Sequence, residues 1–324
     1  MIAMQIAMRN YIWRLTNLIR KLTGRNFKLV DGMFGPRVAL TGDWSPKVGW
    51  WMSSHGIEEL ELNYIYDCKI GESYAFLDEI PFIKALRIVH QDASDFHHIE
   101  NLKDLRSLQI ELCNKPKNFQ IDKLKNLEIL EIDWFAGAEA LFNCPSIRKL
   151  SIDHFPKNLG SGLFKSLPLI EDLRIANSGL EEIENIRYLH KLKRLQLLNL
   201  KHLRALNGIE NLRSLIRLRV DGCKQINSIF LLRSLENLEF LWLIDCGDID
   251  SLDAICGLTK LQSVLFGGST VIRNGDLSPL LDLPSLEHWG FANLKHYNVK
   301  QEDPRLAKHN RRLLRTQDQK RFYF

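Results

Sequence analysis

Residues 203–220 read LRALNGIENLRSLIRLRV, and their apolar positions are Leu203, Leu206, Ile209, Leu212, Leu215, Leu218 and Val220. The same set stands 23 residues earlier as Leu180, Ile183, Ile186, Leu189, Leu192, Leu195 and Leu197. It returns 23 residues later as Ile226, Ile229, Leu232, Leu235, Leu238, Leu241 and Leu243, and once more as Ile249, Leu252, Ile255, Leu258, Leu261, Val264 and Phe266. Apolar residues three apart drift off one face of an α-helix, whose turn takes about 3.6 residues, but stay aligned on a 3₁₀ turn of about 3. The closing pair two apart alternates as a β-strand does.

Each copy is therefore predicted to be one short strand, a bend and a 3₁₀ or irregular return, with the Leu/Ile row facing inward. One copy cannot bury that row alone, so copies must stack and share a core. Working outward, the three-residue strand cores begin at Leu60, Leu86, Leu108, Leu130, Leu150, Leu173, Leu195, Leu218, Leu241, Val264 and Trp289. The predicted fold is a solenoid with a curved parallel sheet of about eleven strands, a 3₁₀ or irregular convex side and an N-terminal cap. The predicted organisation is a cap over residues 1–56, repeats over 57–294 and a basic C-terminal cap or tail over 295–324.

A period of this length ending in L-x-x-L-x-L is the signature of leucine-rich repeats. The repeats resemble the short ones of internalin-like bacterial proteins and of cytosolic scaffold regulators. Residues 266–281, which hold Phe266-Gly267-Gly268 and Asp276-Leu277-Ser278-Pro279-Leu280-Leu281, also resemble the closing repeat of a group of uncharacterised bacterial leucine-rich proteins. That resemblance implies partner binding and no particular ligand. Among small stand-alone members it implies, most concretely, an immunity protein that occludes a toxin.

Charge sharpens the picture. The formal net charge is +5, but residues 1–26 hold five bases and no acid, and residues 300–324 hold eight bases against three acids, so the stretch between is acidic on balance. Tyr11, Ile12, Leu15, Ile19 and Leu22 form a helical stripe expected to cover the open end of the repeats. Phe27–Val30 and Val38–Thr41 read as short strands around Asp31-Gly32 and Gly35-Pro36 turns, followed by Trp44, Trp50 and Trp51, which are expected to pack against the first repeat. Nucleic-acid binding by the basic ends is the alternative to a solvated tail.

No run of about 18 apolar residues predicts a membrane span. Six cysteines show no C-x-x-C pair. Cys113, Cys223 and Cys246 stand five residues after their strand's first Leu, where they are expected to pack and hydrogen-bond the bend. With no signal-peptide cleavage site and no N-x-[ST] sequon, the expected compartment is a reducing cytoplasm. No Walker A loop, H-E-x-x-H or nucleophile elbow is present, so no catalytic residue, metal ligand or cofactor is assigned. His90, His97 and His98 with Asp92 and Asp95 are read as a solvated loop. An enzyme with an unrecognised site in residues 26–56 or 90–100 is a third and more distant reading.

Residues flanking the strand leucines face outward on the sheet. Two columns follow from the period: Arg174, Gln196, Arg219 and Trp242, and beside them Asp172, Arg194, Arg217 and Phe240. Side-by-side arginines next to exposed aromatics predict a site for an acidic protein partner, unless the arginines only neutralise Asp172 and Asp221. The second candidate is the irregular lip containing Trp134 and His154.

Overall fold

The computed structural model describes residues 26–68, 70, 73–89, 92, 94–111, 114–117, 119–157 and 162–306, and the backbone of 312–313. The helical stripe of residues 1–25, His90, Cys113 and most of the basic tail lie outside the described residues. The contacts divide the chain into two compact units, Met1–Ile147 and Arg148–Phe324. This division falls inside the repeats, whereas the sequence pattern places its boundaries at the caps.

In the first unit, β1 (Phe27–Asp31) pairs antiparallel with β2 (Pro36–Leu40), as the turn residues between them predict. Helix α1 (Pro46–Ser54) follows, with Pro46 opening it. The sheet then runs parallel from β2 through β3 (Glu59–Asn63), β4 (Ala85–Val89), β5 (Ser107–Glu111) and β6 (Ile129–Asp133). The second unit holds β7 (Lys149–Asp153), β8 (Asp172–Ala176), β9 (Arg194–Leu198), β10 (Arg217–Asp221), β11 (Phe240–Ile244), β12 (Asp248–Ile249), β13 (Ser263–Gly267), β14 (Val271–Ile272), β15 (His288–Gly290) and β16 (Arg312–Leu313). There β7 to β11, β13, β15 and β16 pair in parallel in that order, and β12 pairs with β14 as a minor two-stranded sheet.

The three-residue spacing has a direct backbone cause. Ile209 N–H donates to Leu206 O at 3.1 Å, Leu212 to Ile209 at 2.9 Å and Leu215 to Leu212 at 2.9 Å, so each apolar residue is hydrogen-bonded to the one three before it. This i→i−3 series points Leu206, Ile209, Leu212 and Leu215 the same way, and all are 2% exposed or less. Strand entry is fixed by one shared carbonyl: Lys193 O accepts from both Ile216 N (2.8 Å) and Arg217 N (2.9 Å).

Packing departs from expectation at three places in the first unit. Helix α1 replaces an all-strand cap. Its Trp51 is buried and packs on Phe27 and His55, but Trp50 is 73% exposed, so the three tryptophans are not one buried cluster. Third, the acids of β3 are no open surface. Glu59 accepts backbone N–H groups from Met33 (2.7 Å), Phe34 (2.5 Å) and Gly35 (2.8 Å), while Arg37 bridges Glu59 and Glu61 at 3.4 and 3.3 Å. Both carboxylates are 2% exposed. A Cβ on Gly32 would lie 2.4 Å from Glu59 Oε2, so the β1–β2 turn is shaped around that carboxylate.

Candidate partner-binding face

Strand pairing in the second unit brings the two predicted columns together. Arg174 pairs with Gln196, Gln196 with Arg219 and Arg219 with Trp242; Asp172 pairs with Arg194, Arg194 with Arg217 and Arg217 with Phe240. Equivalent residues on neighbouring strands stand about 4.8 Å apart, close enough for side chains to pair across the register.

Most of the arginines are already matched. Arg194 reaches Asp172 at 2.9 Å, Arg219 reaches Asp221 at 2.6 Å, and Arg174 reaches Asp153 at 2.6 Å as well as Ser151 Oγ at 3.0 Å. Arg217 differs. Among the described residues it has no acidic partner, and its guanidinium stands over the Phe240 ring at 4.4 Å. Arg219 also lies over Trp242, at 5.9 Å.

This geometry corrects the expectation of exposed aromatic anchors. Phe240 is 8% exposed and Trp242 4%, with a guanidinium over each ring. A guanidinium is planar and weakly hydrated, so it packs on an aromatic face while its N–H edge stays available for hydrogen bonding. The rings thus hold the arginines in place rather than offering contact area themselves. Over β7 to β11 the face carries Lys149, Arg174, Arg194, Arg217 and Arg219 against Asp153, Asp172 and Asp221, an excess of base.

The two lip residues belong to separate units. Trp134 is half-buried after β6, next to the buried Phe135 that packs on Phe119. His154 is the first residue beyond β7, at φ 57°. It opens a column that the sequence reading missed: Asn177 (φ 51°), Asn199 (54°), Gly222 (69°), Asp245 (46°) and Gly268 (62°) hold the same place after β8, β9, β10, β11 and β13. Except at Gly268, each of these residues donates its N–H to the last carbonyl of the next strand, as in His154 N to Ala176 O (3.0 Å) and Asn199 N to Asp221 O (2.7 Å), and the left-handed conformation then turns the chain out of the sheet. The sheet gains one more rung before the chain bends. Residue type was the available signal, because Gly, Asn and Asp enter this region most readily.

Below the column, Cys223 Sγ contacts Leu197 O and Asp221 O, and Cys246 Sγ contacts Val220 O and Ile244 O, so both thiols hydrogen-bond the bend as their spacing suggests. Burial pushes the Cys223 thiol up to about 11 and that of Cys246 up to about 12.

Elsewhere, His98 Nδ1 lies 2.7 Å from Asp78 Oδ2 in the neighbouring loop, and His97 lies 3.5 Å from Asp95 within its own. Among the described residues no three His, Cys, Asp or Glu side chains converge as a metal site would require. No helix among them is long and apolar enough to cross a membrane.

No family model matches the chain. It is 28% identical over 208 residues to the disease resistance protein RPP4 of Arabidopsis thaliana, a match covering 61% of this chain and 17% of that protein. Among solved structures it is similar to the functional domain of InlJ from Listeria monocytogenes, which includes a cysteine ladder (TM-score 0.52, 17% identity, 71% of this chain and 48% of that one). It is also similar to the Arabidopsis receptor kinase HAESA, solved with the peptide hormone IDA and the co-receptor SERK1 (TM-score 0.53, 15% identity, 68% of this chain and 40% of that one). At these identities the likeness concerns the fold.

Proposed function

We propose that this leucine-rich-repeat chain is a non-enzymatic binding scaffold, and that it takes an acidic protein surface on the sheet face of its second unit. The observation that carries the reading is Arg217: a guanidinium held over Phe240, flanked by Arg194 and Arg219, and lacking the acidic partner that each of those neighbours has. A carboxylate from a partner would complete it in the way Asp172 completes Arg194. The base excess over β7 to β11 favours the same sign of partner and would speed its approach. HAESA, which shares the fold, was solved with a peptide and a protein bound, so partner binding is compatible with such repeats.

The test is affinity capture from the native host with the full chain, run beside Arg217→Glu and the control Arg213→Glu, whose side chain is exposed and outside the strands. A protein retained by the parent and by Arg213→Glu, and lost with Arg217→Glu, supports the reading. One retained equally by all three contradicts it.

A further inference from the structure

A second site lies at the strand exits of the same unit, apart from the sheet face. Asn177, Ser178, Gly179, Asn199, Lys201 and His202 line an open groove of about 430 Å³. Its chemistry is dominated by donors. Asn199 Nδ2 donates to Asn177 Oδ1 at 3.1 Å, and Asn177 Nδ2 donates to Asp153 Oδ1 at 2.7 Å, so the two carboxamides are oriented as a relay. A carboxamide nitrogen carries two hydrogens, and each asparagine keeps a second one to give. The backbone N–H groups of Ser178, Gly179, Lys201 and His202 make no hydrogen bond to a described residue. Lys201 has no acidic partner among the described residues, and Glu181 is taken up by Lys157 and by Arg204 at 3.7 Å.

Gly179 is the second observation. Its φ lies outside the left-handed region and a Cβ there would meet nothing within 4 Å, so neither backbone conformation nor packing requires glycine. Because Gly179 lines the groove, a bulky side chain there has open space to extend across it. Glycine is suited to places where a ligand approaches the backbone closely. These amides follow Asn177 at φ 51° and Asn199 at φ 54°, where the chain turns out of the sheet. A lone carboxylate offers about four acceptor positions, fewer than this set of donors can fill.

We infer that the groove binds a tetrahedral oxyanion, phosphate or sulfate, with Lys201 supplying the charge and the strand-exit amides the donors. The test uses the full chain labelled with ¹⁵N and titrated with inorganic phosphate, inorganic sulfate and acetate at constant ionic strength. Saturable shifts at the amides of Ser178, Gly179, Lys201 and His202 are expected with phosphate or sulfate. Lys201→Ala and Gly179→Leu should each weaken binding about tenfold or more while the melting temperature is unchanged. Preference for acetate, equal binding by both variants, or no saturable shift at millimolar anion would each overturn the assignment. The site-face variant Arg217→Glu should leave these shifts as they are.

Discussion

Asn199 occupies the space under Gly222: a Cβ on Gly222 would stand 2.4 Å from Asn199 Oδ1 and 3.2 Å from Asn199 Cα. Glycine at this strand exit therefore answers two demands, the φ of 69° and the neighbouring repeat's side chain. Gly222→Ala is expected to destabilise the chain by about 1–3 kcal/mol, from left-handed strain and crowding together. Gly257→Ala, which meets nothing within 4 Å and needs no positive φ, should change stability by less than about 0.5 kcal/mol. Denaturant melts of the two variants check the contrast.

Leu218 is fully buried on β10, in register with Leu195 and Leu241 of the neighbouring strands, and truncating it opens a cavity at the core that adjacent repeats share. Leu218→Ala should cost about 2–5 kcal/mol and weaken protection of the neighbouring repeats as well as its own. Hydrogen exchange across residues 180–266 reads this. Loss confined to one repeat would mean that stacking does not couple them.

Removing Glu59 takes away one of the two carboxylates that Arg37 bridges, leaving Glu61, and orphans the N–H groups of residues 33–35. Glu59→Ala should lower stability by about 2–4 kcal/mol, chiefly because buried N–H donors of the turn are left without an acceptor. A melt at the parent's temperature would show that the turn is held by something else.

The raised thiols give a pH signature. Folding holds the protons of Cys223 and Cys246 above their ordinary value of 9.0, to about 11 and about 12, so the native state binds protons that the unfolded state releases. Their contribution is fully present below about pH 9 and is lost as pH rises through the folded-state values. Stability should therefore fall from pH 9 upward, and the fall should be shallower in Cys223→Ala/Cys246→Ala. An identical slope would show that these thiols are not held protonated by the fold.

The repeat period made the strands, their register and both face columns legible, because a 23-residue shift maps Arg194 onto Arg217 and Arg217 onto Phe240 without any structure. The pairing of Asp172 with Arg194 was also within reach, as adjacent residues in that register. What the period could not carry was depth. Whether Phe240 and Trp242 stand open or lie beneath arginines depends on side-chain direction across strands, and the burial of Glu59 depends on a turn 24 to 26 residues earlier folding back over it. Helix α1 escaped because nine residues containing Gly49 and two tryptophans carry little helical periodicity. His154 stands out in the sequence only as part of the irregular lip, while its place is set by its left-handed backbone.

The most direct measurement is the affinity of the captured partner for the parent and for Arg217→Glu, by calorimetry at two ionic strengths with melting curves alongside. If Arg217 is the anchor, Arg217→Glu loses about 2 kcal/mol, roughly thirtyfold in Kd, the parent binds more weakly at the higher ionic strength, and the variant melts within a few degrees of the parent. Unchanged affinity in a folded Arg217→Glu chain would contradict it.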